Sequence, residues 1–187
     1  LSDDSFSYSD TLNILTSAAS EGFSSAEIDD LKYIYSQNSF ESDYVKNITY
    51  NVVFENVGND YWWGGTTDIS SLVKLGNATP GITQSKANLL IDKWFLGKDL
   101  PMPISGGDTA NPAATSGKYD YGTISGELFT GGVTALDVNQ GSAGTCYLIA
   151  SMESIAALNP SIIENAFIEN PNGTYGVKFF FNGEPIY

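Results

Sequence analysis

The sequence predicts an α+β chain: a mainly helical N-terminal half, then a long helix followed by short strands. Three observations carry this. Apolar residues recur at helical spacing over four stretches before residue 101, a Gly- and Pro-rich interval follows, and the last twenty residues alternate around an Asn-Gly turn.

DTLNILTSAASEG places Leu12, Leu15 and Ala19 near one helical face, with Gly22 as the stop. Ser24-Ser25-Ala26-Glu27 has capping-box spacing and opens a second helix bearing Ile28, Leu31 and Tyr35 on one side. In YVKNITYNVVFENV, Val45, Ile48, Val52 and Val53 fit a helix face, while their β-branching leaves a strand open; the spacing favours the helix. NDYWWGGT follows. Its paired tryptophans could grip a sugar or peptide, but packing against neighbouring helices is the favoured reading. ITQSKANLLIDKWFLGKDLP reads as a helix with Ala87, Leu90, Ile91 and Trp94 inward, ended by Gly97 and Pro101.

Residues 102–116, rich in Gly, Pro, Ser, Thr and Ala, read as a linker and as the first point of limited proteolysis. This divides the chain into 1–101, 102–116 and 117–187. In the last portion CYLIASMESIAALNP is a helix with Leu148, Met152 and Ile155 on one stripe, closed by Pro160. SIIENAFIE reads as a second short helix, then TYGVKFFF and PIY as strands about Asn182-Gly183. The sequence given stops within that last strand, so a missing segment or second polypeptide is expected to complete it.

The charge balance excludes several functions. Eight basic and 22 acidic residues give 8 − 22 = −14, which opposes binding to nucleic acid and to anionic membrane surfaces. No run approaches the roughly 20 apolar residues that span a bilayer. LSDDSFSYSD shows neither a basic n-region nor an apolar h-region. High negative charge suits an extracellular setting, which is the expected location. One cysteine forbids an internal disulfide. The sequons at Asn47, Asn77 and Asn172 carry little weight in an Asn-rich chain.

The single cysteine, Cys146, sits where QGSAGT gives way to a helix. A helix N-terminus stabilises a thiolate through its dipole and unpaired N–H groups, and Gly141 and Gly144 allow a sharp turn. Gln140 could donate its amide to a developing oxyanion beside the Cys146 N–H. On these features alone a nucleophile and a structural cysteine both stand.

Gln140-Gly141-Ser142-Ala143-Gly144-Thr145-Cys146-Tyr147-Leu148-Ile149-Ala150 closely resembles the active-site block of the calpain family of papain-like cysteine peptidases, whose pattern is Q-G-x-x-G-D-C-[WY]-[FL]-[LI]-A. GELFTGG, DVNQG and the G-x-Y-x-V-x-F-x-x-N-G run beginning at Gly173 are similar to bacterial, notably cyanobacterial, members. The likeness is closest over 123–187 and looser over 55–101. It implies the Cys-bearing part of a papain-like catalytic subdomain and endopeptidase action on protein or peptide substrates, with Cys146 as nucleophile and Gln140 as oxyanion donor. Asp137 matches a position whose carboxylate can bind calcium, with backbone oxygens near Thr130 and Gly132 as companions; spacing alone favours Asp137 as a turn or capping residue. Thr145 departs from the family's Asp. The greater departure is the absence of histidine from the sequence. The family's general base is His, oriented by Asn, so a second polypeptide or further segment would supply both, and these residues alone are not expected to turn over peptides. Residues 1–101 would be a leader that inhibits, targets or chaperones. The alternative is a catalytically silent, peptidase-derived binding or structural module, such as part of an extracellular assembly.

Overall fold

A computed structural model describes residues 5–66, 70, 72–101, 121–140 and 144–187. The chain is α+β, its helices accompanied by strands of two or three residues. It forms two compact units: Leu1–Pro101 with Glu169–Tyr187, and Met102–Ile168. The segment 102–116 lies outside the described residues.

In the first unit β1 (Ser5–Phe6) leads into α1 (Tyr8–Ala18), and α2 (Ser25–Gln37) into β2 (Ser39–Phe40), which pairs in parallel with β1. Both helices open with reciprocal caps. The Asp10 N–H donates to Ser7 Oγ at 3.1 Å while the Ser7 N–H donates to Asp10 Oδ2 at 3.2 Å. The Ser24–Glu27 spacing does the same: the Glu27 N–H reaches Ser24 Oγ at 3.2 Å and the Ser24 N–H reaches Glu27 Oε2 at 2.7 Å. Each box satisfies two donors that the first helical turn would otherwise leave open.

The ambiguous YVKNITYNVV stretch is helical. α3 (Asp43–Val53) is capped by Ser42, whose Oγ accepts from the Val45 N–H at 3.2 Å. Tyr44, Val45, Ile48, Thr49, Asn51, Val52 and Val53 are buried, because α3 packs against α1, α2 and α4 (Gln84–Trp94). Burial on several sides overrides the modest β preference of its branched residues. Ala87, Leu90 and Ile91 of α4 face this core with Leu15, Phe23 and Phe95, whereas Trp94 is half-buried and donates its indole N–H to Asn59 Oδ1 at 2.7 Å. That Asn59 is fully buried, and its amide N–H groups reach the Asn51 carbonyl at 2.8 Å and Asn77 Oδ1 at 2.9 Å.

β3 (Tyr61–Trp62) pairs antiparallel with β4 (Val73–Lys74), and the Gly64-Gly65 turn follows. Packing of the Trp62-Trp63 rings is only part of what holds this stretch. Trp62 is half-buried and Trp63 is exposed, while the backbone N–H groups of Trp63 and Gly64 donate to Asp99 Oδ1 at 2.6 and 2.7 Å. Asp99 Oδ2 closes an ion pair with Lys93, whose ammonium also donates to the Tyr61 carbonyl.

Residues 169–187 return to this unit. They contribute β6 (Tyr175–Val177), β7 (Phe179–Phe181) and β8 (Glu184–Ile186), β7 and β8 forming a hairpin. Asn182 and Gly183 have φ of 52° and 86°, the two positive values that a tight hairpin turn matching strand twist requires. The continuous strand expected for TYGVKFFF is broken at Lys178: Gly176 is fixed against the Tyr44 ring, whereas β7 follows β8.

The second unit contains α5 (Cys146–Leu158), α6 (Ser161–Glu164) and a 3₁₀ turn at Ala135–Asp137. The helix expected over SIIENAFIE stops at Glu164, and β5 (Phe167–Glu169) begins where aromatic and branched residues favour extension. The Phe167 ring meets Phe129 edge-on, with centroids 5.4 Å apart. In α5 Ile149, Met152 and Ile155 are half-buried and Ala156 is buried, so the expected Leu148–Met152–Ile155 stripe holds at Met152 and Ile155 and fails at Leu148, which is exposed. Among the described residues, no helix is long and apolar enough to cross a membrane.

Candidate active site

Cys146 is the first residue of α5, and its side chain is exposed. Thr145, at the N-cap, holds φ −105° and ψ 18° and makes no side-chain cap bond. Its carbonyl accepts the N–H groups of Leu148 and Ile149, both at 3.0 Å, so the helix is wound from its first turn. A 13-residue helix directs the positive end of its dipole at the residue that carries the sulfur. α5 has no acidic residue in its first turn. Among the described residues beyond its chain neighbours, nothing lies within 4 Å of the position a Cβ on Gly144 would take.

Gln140 is exposed and precedes the loop; residues 141–143, including Gly141, lie outside the described residues. Gln140 and Cys146 are both exposed, and Cys146 stands at a helix start.

The three residues singled out for calcium come together. Thr130, Gly132 and Asp137 line one cleft of about 480 Å³ with Phe129, Ile149 and Met152, against the first two turns of α5. Asp137, however, is engaged as a cap: its Oδ2 accepts from the Thr134 N–H and from Thr134 Oγ1, both at 2.8 Å. Calcium takes six to eight oxygens, and one carboxylate with two carbonyls falls well short. Among the described residues no group of three or more His, Cys, Asp or Glu gathers that could hold a metal ion. Thr130, Gly132 and Asp137 therefore supply only part of a calcium shell.

One residue of this cleft's rim escaped the sequence reading. Glu164 Oε1 accepts the Val133 N–H at 3.2 Å and lies 3.7 Å from the position a Cβ on Gly132 would take. Nothing in the sequence signals a carboxylate tying down a loop 31 positions upstream.

No protein-family model, no curated protein and no solved structure matches the chain.

Proposed function

We propose that this chain carries the nucleophile-bearing portion of a calpain-like cysteine endopeptidase. The observation that carries the reading is Cys146: an exposed thiol at the first residue of a long helix, inside the block Gln140 to Ala150. In such chemistry the thiolate attacks the scissile carbonyl carbon, a C–S bond forms, and the C–N bond breaks as the leaving amine takes a proton; water then releases the acyl group. The Gln140 amide with the Cys146 N–H would receive the negative charge on oxygen. The proton for the amine must come from elsewhere, because these 187 residues contain no imidazole. A His and an orienting Asn on a further segment or second polypeptide complete the machinery, acting on protein or peptide substrates. The charge of −14 supports a place outside the cell.

Alkylation tests the nucleophile. Iodoacetamide should modify Cys146 about tenfold faster than free cysteine at the same pH. Substitution Cys146→Ser should abolish the label. A rate equal to that of free cysteine would remove the basis for the peptidase reading and favour the silent binding module instead.

A further inference from the structure

We propose that residues 5–101 form a retention clamp whose resident ligand is the chain's own segment 169–187, so that a backbone break between 102 and 120 leaves the two pieces joined. The inference does not depend on whether Cys146 is a nucleophile.

The seat is built from buried tyrosines. Tyr8 on α1 and Tyr44 on α3 are 3% and 5% exposed, and each presents its hydroxyl to the returning segment. Asn170, itself 5% exposed, donates its amide to Tyr44 Oη at 3.0 Å and to Thr174 Oγ1 at 3.0 Å. Asn172 donates to Tyr8 Oη at 3.0 Å and to the Phe95 carbonyl at 3.3 Å. The segment is also braced internally. The Thr174 N–H and Oγ1 both donate to Asn172 Oδ1, at 3.2 and 2.7 Å, and the Asn170 N–H donates to the Thr174 carbonyl at 2.9 Å. A turn already closed on itself forfeits less conformational freedom on binding.

Shape adds to polarity. Gly176 lies flat on the Tyr44 ring: a Cβ there would stand 2.6 Å from one ring carbon and 2.7 Å from another, so only glycine fits. The Tyr187 ring also meets the Tyr44 ring, with centroids 5.3 Å apart. Gly97, with φ of 58°, leaves room for the Thr174 methyl at 3.6 Å from where its own Cβ would be. Contacts from α1, α3 and the end of α4 thus converge on one five-residue turn and the strand after it. Asn172 is exposed, but the buried Asn170 amide and the buried Tyr8 and Tyr44 hydroxyls are costly to leave without partners.

The experiment uses the full chain with a site-specific protease sequence placed within residues 102–120. After complete cleavage the two pieces should co-elute on size exclusion, with native mass spectrometry giving the mass of one cleaved chain. Asn172→Ala and Gly176→Leu, each in the cleavable chain, should weaken retention about tenfold or more, read as dissociation on dilution. Separation of the unsubstituted pieces overturns the proposal, whether or not the N-terminal piece keeps its helical circular dichroism. A complex of twice the expected mass, in which segments are exchanged between copies, also overturns it. Retention unchanged by both substitutions would show that the seat described here is not the clamp.

Discussion

The side-chain amide of Asn170 donates to the Tyr44 hydroxyl at 3.0 Å, joining positions 126 apart in the sequence. Both groups are buried. Replacing Tyr44 by Phe keeps the ring on Gly176 and removes the acceptor from a buried amide. The expected loss is about 1–2 kcal/mol, measured as a lower urea midpoint at unchanged slope.

Asp99 is the acceptor on which the Trp62–Gly65 stretch is built, and its side chain is 2% exposed with Lys93 at 13%. Asp99→Ala leaves the Lys93 ammonium without its counter-charge and the Trp63 and Gly64 N–H groups without their acceptor. A loss of about 3 kcal/mol is expected, with a red shift of tryptophan emission as the turn opens. Asp99→Asn, which keeps one oxygen acceptor, should cost less.

Alkaline titration should be visible in stability. Burial raises the Tyr8 and Tyr44 phenols above the ordinary 10.0, and burial likewise raises Tyr35. Below about pH 10 these groups hold their protons in folded and unfolded chains alike, so they impose no slope. Above it the unfolded chain loses protons first and binds fewer than the folded one, so stability falls as pH rises towards the raised folded values. Denaturant midpoints should therefore be flat with respect to these groups from neutral pH to about 9 and drop beyond 10. Tyr44→Phe should shrink the drop.

Leu90 is 0% exposed at the centre of the helical core, whereas Leu136 is 95% exposed beside Asp137. Leu90→Ala should cost about 3 kcal/mol through lost burial and the cavity left behind. Leu136→Ala should change stability by less than about 0.5 kcal/mol. Thermal denaturation of the two variants separates them.

What the sequence discloses here is what is local. The Ser24–Glu27 cap is legible because both partners lie within four positions, and the Asn182-Gly183 turn because its dihedral demand selects those residue types. In α3 spacing and branching point in opposite directions. Packing by three other helices decides for the helix, a fact no window of residues contains. The same limit hid the Asp99 clip, whose partners lie 35 and 36 positions away, and the seating of Asn170 and Asn172. In the candidate site, the exposed thiol at a helix start follows from the glycine loop and the apolar period after it. The α5 stripe holds at Met152 and Ile155 but fails at Leu148, because nearly every side of CYLIASMESIAAL is apolar and periodicity alone does not say which face is sheltered.

The lone thiol has a practical consequence. All three tryptophans, at positions 62, 63 and 94, belong to the first unit, while the one sulfhydryl belongs to the second. Indole fluorescence therefore follows one unit, and a dye coupled through sulfur follows the other. Two colours give two separate melting records from a single sample, with no engineered labelling position required.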